Sequence, residues 1–139
     1  MTNANDKQIG GAHYSGEYQH WDWVFDTRQN YHEARATAYV ARFERKNGLE
    51  DLLKAQHFLE KCQELYGRTR QRERGHHGDI RIHTKVFCEK NGWHGSDAGR
   101  QIADFMASVA YGRYGEARRA LKEIIKAYEQ KAPTPAPAS

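Results

Sequence analysis

Cysteine is scarce in this chain: Cys62 and Cys88 are the only two among 139 residues. They lie too far apart for a CxxC metal or redox motif. No stretch of about 18 apolar residues is present to cross a membrane, and no secretory signal is evident. The chain therefore reads as soluble and cytoplasmic with both thiols reduced, Cys62 sitting in a buried helical pattern. Proline is confined to the closing "APTPAPAS", which reads as a disordered tail. Several catalytic signatures are also missing. There is no GxxxxGK[ST] phosphate loop, no GxSxG or HExxH, no Cys/His nucleophile arrangement, and no acidic ExxE…ExxD pattern of the all-α nucleotide pyrophosphohydrolases.

What remains is polar and mildly basic. Apolar residues make up 38% and the net charge is +4, with a mean hydropathy of -0.99 and a pI near 9.1. So thin a core in a small chain is often completed by self-association, and a homo-oligomer is predicted on that ground. The charge excess favours anionic partners, although an ordinary solvated surface would also carry it.

The hydrophobic pattern predicts a mainly α fold built round an antiparallel helical hairpin. A short helix over 21–25 opens an aromatic-rich segment. A helix follows from Tyr31 to Lys46, with Ala36, Tyr39, Val40 and Phe43 on one face. Asn47-Gly48 ends it. The next helix runs from Leu49 to Tyr66, its predicted stripe being Leu49, Leu52, Leu53, Phe58, Leu59, Cys62 and Leu65, and Gly67 stops it. So short a turn makes the two helices antiparallel. Residues 67–79 read as a basic linker. The segment 80–88 alternates as a short strand would, with a helix as the competing reading. Helices then fill 98–131, broken near "YGRYG", with Ser96 or Asp97 as cap. The organisation is thus 1–66, the linker 67–79, a mainly helical 80–131, and the tail 132–139. A faint echo links "ATAYVARFERKNGLEDLLKAQHFLEKCQELY" to "MASVAYGRYGEARRALKEIIKAY". A repeated hairpin would explain it, and so would the small vocabulary of amphipathic helices.

Three constellations have chemistry in them. In "QIGGAHY", paired glycines can turn backbone N–H groups toward an anion, with His13 as a further donor; an ordinary turn reads the same. Around the predicted hairpin turn, Arg42, Lys46, Glu50, Asp51, Lys54 and His57 point away from the apolar face. The cations suit phosphate, while the carboxylates could orient them or contact a sugar or base; a solvated face of ion pairs is the plainer alternative. The set His76, His77, His83, His94 and Cys88 has no metal-ligand spacing, so no metal is assigned. The basic "RTRQRERGHH" near Trp93 could touch nucleic-acid backbone, without the signature of an established module.

Taken together, "QIGGAHY" and "YVARFERKNGLEDLLKAQHFLEKCQEL" resemble the DUF3310 family of small phage proteins, over about residues 7–66. That resemblance implies a nucleotide kinase-like protein without a phosphate loop, acting on (deoxy)nucleoside monophosphates in the cytoplasm of an infected host cell. It implies that Gly10, Gly11, His13 and Tyr14 form one wall of a nucleotide site, and Tyr39, Arg42, Lys46, Glu50, Asp51, Lys54 and His57 the other. Arg42, Lys46 and Lys54 would neutralise phosphate charge in place of Mg²⁺, and His13 or His57 would shuttle the proton. No cofactor is then required beyond a nucleoside triphosphate as phosphoryl donor. The chain departs from the family pattern at Ala12 and over "EYQHWDWVFD", which bears on base selectivity. A shared motif of this kind is also compatible with binding alone, so sequestration of a nucleotide in counter-defence is the second expectation. Contact with a host protein or a nucleic acid is the third.

Overall fold

The computed structural model describes residues 18–70 and 76–131, with the backbone alone described for 76–78. Six helices occur among them: α1 His20–Asp26, α2 Tyr31–Arg42, α3 Leu49–Tyr66, α4 His76–Lys90, α5 Asp97–Ala110 and α6 Tyr114–Lys131. Local chemistry sets several ends. Asn30 Oδ1 accepts from the Glu33 N–H at 2.8 Å, and Glu33 Oε1 accepts from the Asn30 N–H at 2.9 Å, a capping box that starts α2. Ser96 Oγ accepts from the Gly99 N–H at 3.0 Å and starts α5. Gly67 ends α3 at φ 77°, a left-handed backbone that glycine enters without steric cost.

α2 and α3 form the expected hairpin, and α5 and α6 form a second. The hairpins dock with α2 on α5 and α3 on α6, while α1 packs on α4. Every helix of the first half therefore meets its counterpart in the second. The buried positions share one register: Ala36, Tyr39, Val40 and Phe43 match Ile102, Phe105, Met106 and Val109 at a constant offset along the chain. Leu52, Ala55, Leu59 and Cys62 match Tyr114, Ala117, Leu121 and Ile124 in the same way. The echo between the two sequence segments thus corresponds to a shared burial register in the two hairpins, the second having the tighter turn.

The halves meet head to tail. Near the start of α3, the Phe43 ring lies edge-on to Tyr128 of α6 at 5.8 Å. Beyond the far end of α3, Arg70 N donates to Gly112 O at 2.7 Å and Tyr114 N donates to Arg68 O at 2.9 Å. α3 and α6 consequently run antiparallel. Two polar networks are enclosed with the core. Glu33, fully buried, accepts from Arg70 at 2.8 Å and from the Tyr114 hydroxyl at 2.8 Å. His20 shares a 2.8 Å hydrogen bond with Thr37 Oγ1, and Thr37 also donates to Gln29 at 3.0 Å.

Several expectations are corrected. Residues 80–88 are not a strand but the body of α4, because Ile80, Thr84, Phe87 and Cys88 bury at helical spacing while Ile82 and Val86 stay exposed. The second helix stops at Arg42 rather than Lys46, residues 43–48 forming turns. Leu53 and Leu65 do not belong to the buried stripe of α3; both are about half exposed, and Asp51 and Ala55 are buried there instead. The linker is shorter than its predicted 67–79, since α4 begins at His76, and Arg70 is tied into the core through Glu33. The proline-rich tail 132–139 lies outside the described residues.

Candidate functional site

Tyr39 sits on α2 with its ring largely inside the core, and three cations converge on it. The Arg42 guanidinium carbon lies 4.6 Å from the ring centroid, that of Arg35 5.1 Å, and Lys54 Nζ 5.6 Å. Helical spacing explains the gathering. Arg35, Tyr39 and Arg42 recur on one face of α2, and Lys54 reaches across from α3. Each contact is a cation–π pair, favourable by about 0.5–1 kcal/mol at such exposed sites. Like charges so placed repel, and an anion among them relieves that repulsion.

Carboxylates fix the cations from behind. Asp51 is wholly buried and accepts from Arg42 at 3.1 Å and from the Asn47 N–H at 3.1 Å. Burial alone would raise its pKa, but the hydrogen bonds from Arg42 and Asn47 outweigh it and hold the carboxyl below its ordinary value. Its expected outward orientation is therefore corrected: Asp51 is an internal anchor of the turn. Arg42 keeps a buried Nε that has no hydrogen-bond partner. Lys54 pairs with Glu50 at 3.2 Å on the exposed surface.

An aromatic groove continues from this cluster. Arg35 also lies 5.5 Å from the Phe58 centroid, and Phe58 stacks on Tyr39 at 5.9 Å. Beyond it, His32, His57, Phe58, Glu60, Lys61 and Glu64 line a groove of about 550 Å³ between α2 and α3. Lys61 is paired with Glu64 at 3.2 Å, and Tyr31 lies edge-on to Phe58 at 6.2 Å.

Of the residues singled out from sequence, Tyr39, Arg42, Glu50, Asp51 and Lys54 come together. His57 lies in the adjoining groove rather than in the cation cluster, and Lys46 is exposed on the turn after α2. Gly10, Gly11, His13 and Tyr14 lie outside the described residues. Sequence reasoning missed Arg35, which donates to the Tyr39 hydroxyl at 2.8 Å. Its spacing of four residues before Tyr39 was the available signal.

The second hairpin, matched by its burial register, supplies an internal comparison. At the positions matching Arg35, Tyr39, Arg42 and Lys54 it carries Gln101, Phe105, Ser108 and Glu116. The same scaffold therefore packs without the cations, so packing does not demand them.

Among the described residues, no group of three or more His, Cys, Asp or Glu side chains could hold a metal ion. Of the histidine set, His83 Nδ1 lies 3.5 Å from Asp26, and His94 is exposed. Burial, with Asp104 and Glu89 adding to it, pushes the Cys88 thiol up to about 12. No described helix is long and apolar enough to cross a membrane. No family model matches the chain, and no curated protein or solved structure matches it.

Proposed function

We propose that this chain binds a nucleoside phosphate on the outer face of the α2–α3 hairpin. The observation that carries the reading is the convergence of Arg35, Arg42 and Lys54 on Tyr39, continuous through Phe58 with an aromatic groove. The cations suit the phosphates, Arg42 being part-exposed and held in place by Asp51, and Phe58, His32 and Tyr31 offer faces to a base. Calorimetric titration with dGMP, dTMP and ATP tests it. Binding that Arg42→Gln removes is the expected result, and absence of binding by all three sinks the reading.

The resemblance of residues 7–66 to phage nucleotide kinase-like proteins extends the reading to phosphoryl transfer from a nucleoside triphosphate to a (deoxy)nucleoside monophosphate. Arg42 and Lys54 would then take up the charge that Mg²⁺ commonly neutralises. A coupled assay with and without EDTA reads this out, EDTA-resistant turnover being expected. Sequestration without chemistry is the second reading. It is favoured by the position of His57, which has no carboxylate within ion-pair distance among the described residues to orient it as a proton shuttle. Recovery of the bound nucleotide intact would select it. Self-association also belongs to the proposal, supported by exposed Phe25 on α1 and Ile82 and Val86 on α4, and native mass spectrometry would count the subunits.

A further inference from the structure

A second basic surface lies away from the Tyr39 cluster, where the chain leaving α3 is stitched to the start of α6. Arg68, Arg113 and Arg119 line a groove of about 350 Å³ there, floored by Thr69 and Gly115. The backbone beneath is closely held. Thr69 and Arg113 form an antiparallel bridge, and Arg68 O accepts from both Tyr114 N and Gly115 N. Gly112 is required at φ 75°, because a Cβ there would stand 2.6 Å from Arg70 O.

The arginines contrast with others in the molecule. Arg42, Arg70 and Arg100 are each paired with a carboxylate. None of Arg68, Arg113 and Arg119 forms an ion pair among the described residues, although Glu116 lines the same groove. Two tyrosines lie beside the groove without lining it. The Arg113 guanidinium lies 4.9 Å from the Tyr111 centroid, and Tyr66, 43% exposed, packs under Arg70 at 5.1 Å. In the matching register the first hairpin carries Asp51 and His57 where Arg113 and Arg119 stand, so that register does not require arginine at either position.

We infer that this groove binds the phosphodiester backbone of single-stranded nucleic acid. Unpaired guanidinium groups suit successive phosphates, and the flanking tyrosines give unstacked bases a face to rest on, which a duplex does not need. The surface is independent of the nucleotide site proposed above.

The test uses the full chain and a fluorescent oligo-dT of about 20 nucleotides, titrated at several salt concentrations. With three phosphate contacts, log K falls against log salt with a slope of about -2, each contact to a single strand contributing about -0.7. Arg68→Gln, Arg113→Gln and Arg119→Gln each weaken binding roughly 3- to 10-fold and flatten the slope by about 0.7. The triple variant, its helix content checked by circular dichroism, loses binding. Arg100→Gln, whose arginine is already paired with Asp97, binds as the parent does. The inference is overturned if the parent does not bind or binds without salt dependence, if the triple variant keeps its affinity, or if a duplex of equal length is preferred. It is equally overturned if Arg100→Gln weakens binding as much as Arg113→Gln. Loss of oligo-dT binding in Arg42→Gln alone would move the strand to the α2–α3 face and likewise overturn it. Failure of mononucleotide binding leaves this result untouched, so the two readings fail separately.

Discussion

Trp23 and Phe87 stack face to face across α1 and α4, their centroids 4.6 Å apart and their planes 10° from parallel. Trp23 is fully buried, and its indole N–H donates to Thr84 Oγ1 at 3.0 Å. Trp23→Ala should therefore cost about 3–5 kcal/mol in urea unfolding. Trp23→Phe keeps a ring but drops the hydrogen bond and leaves Thr84 underused, for a smaller loss of about 1–2 kcal/mol.

Arg70 is the counter-charge of a carboxylate with no access to water. Arg70→Ala takes the guanidinium away from Glu33 while the Tyr114 hydroxyl and the Asn30 N–H still donate to it, and should destabilise by about 3 kcal/mol. Adding Glu33→Gln to that variant removes the stranded charge and should recover part of the loss, a non-additivity that a double-mutant cycle measures.

His20 makes stability fall on acidification. Its ring lies 5.8 Å from Trp23 and 5.9 Å from Phe87, and burial pushes its pKa from 6.5 down to about 4. Below about pH 6.5 the unfolded chain takes up a proton that the folded one refuses. The contribution is complete above that pH and is lost progressively down to about pH 4, by up to about 3 kcal/mol. His20→Gln should flatten unfolding free energy over this window.

Gly48 is constrained twice, by φ 53° and by the Tyr128 hydroxyl, which a Cβ would strike. Gly67 has a similar φ of 77°, but a Cβ there would meet nothing within 4 Å. Gly67→Ala should cost about 1–3 kcal/mol from backbone strain alone, since its ψ of -154° places it in a region essentially reserved for glycine. Gly48→Ala should cost more, and in a Tyr128→Ala background, itself weakened by loss of the Phe43 contact, the added cost of Gly48→Ala should be smaller.

Replacing Arg35, Arg42 and Lys54 by the residues at the matching positions of the second hairpin gives Arg35→Gln/Arg42→Ser/Lys54→Glu. Nucleotide binding should be abolished in calorimetry. Because Asp51 then loses its guanidinium partner, a moderate stability loss of about 1–3 kcal/mol is expected alongside, with helix content preserved.

Much of the fold was legible because it is written in local signals. The apolar face of α2, both ends of α3 and the break at "YGRYG" follow from 3.6-residue spacing and glycine. α4 was ambiguous because Ile80, Ile82, Thr84, Val86 and Cys88 alternate in sequence, while only tertiary contact decides that Ile80, Thr84 and Cys88 bury and the others do not. Asp51 misled for a related reason. A carboxylate in the first turn of a helix ordinarily faces solvent, and its burial depends on Arg42 and Asn47 folding back over it. Arg35 lies between the two motifs that carry the resemblance, and only the packing of α2 on α3 brings it to Tyr39 and Phe58 together.

The matched register of the two hairpins has a consequence for the surfaces they carry. One interior solution, used twice, leaves the exteriors free to change separately. The α2–α3 side gathered cations round an aromatic ring, and the side where α3 meets α6 gathered arginines over a glycine-pinned crossing. A shared interior register of this kind lets the two outer faces differ in residue chemistry while the core is kept.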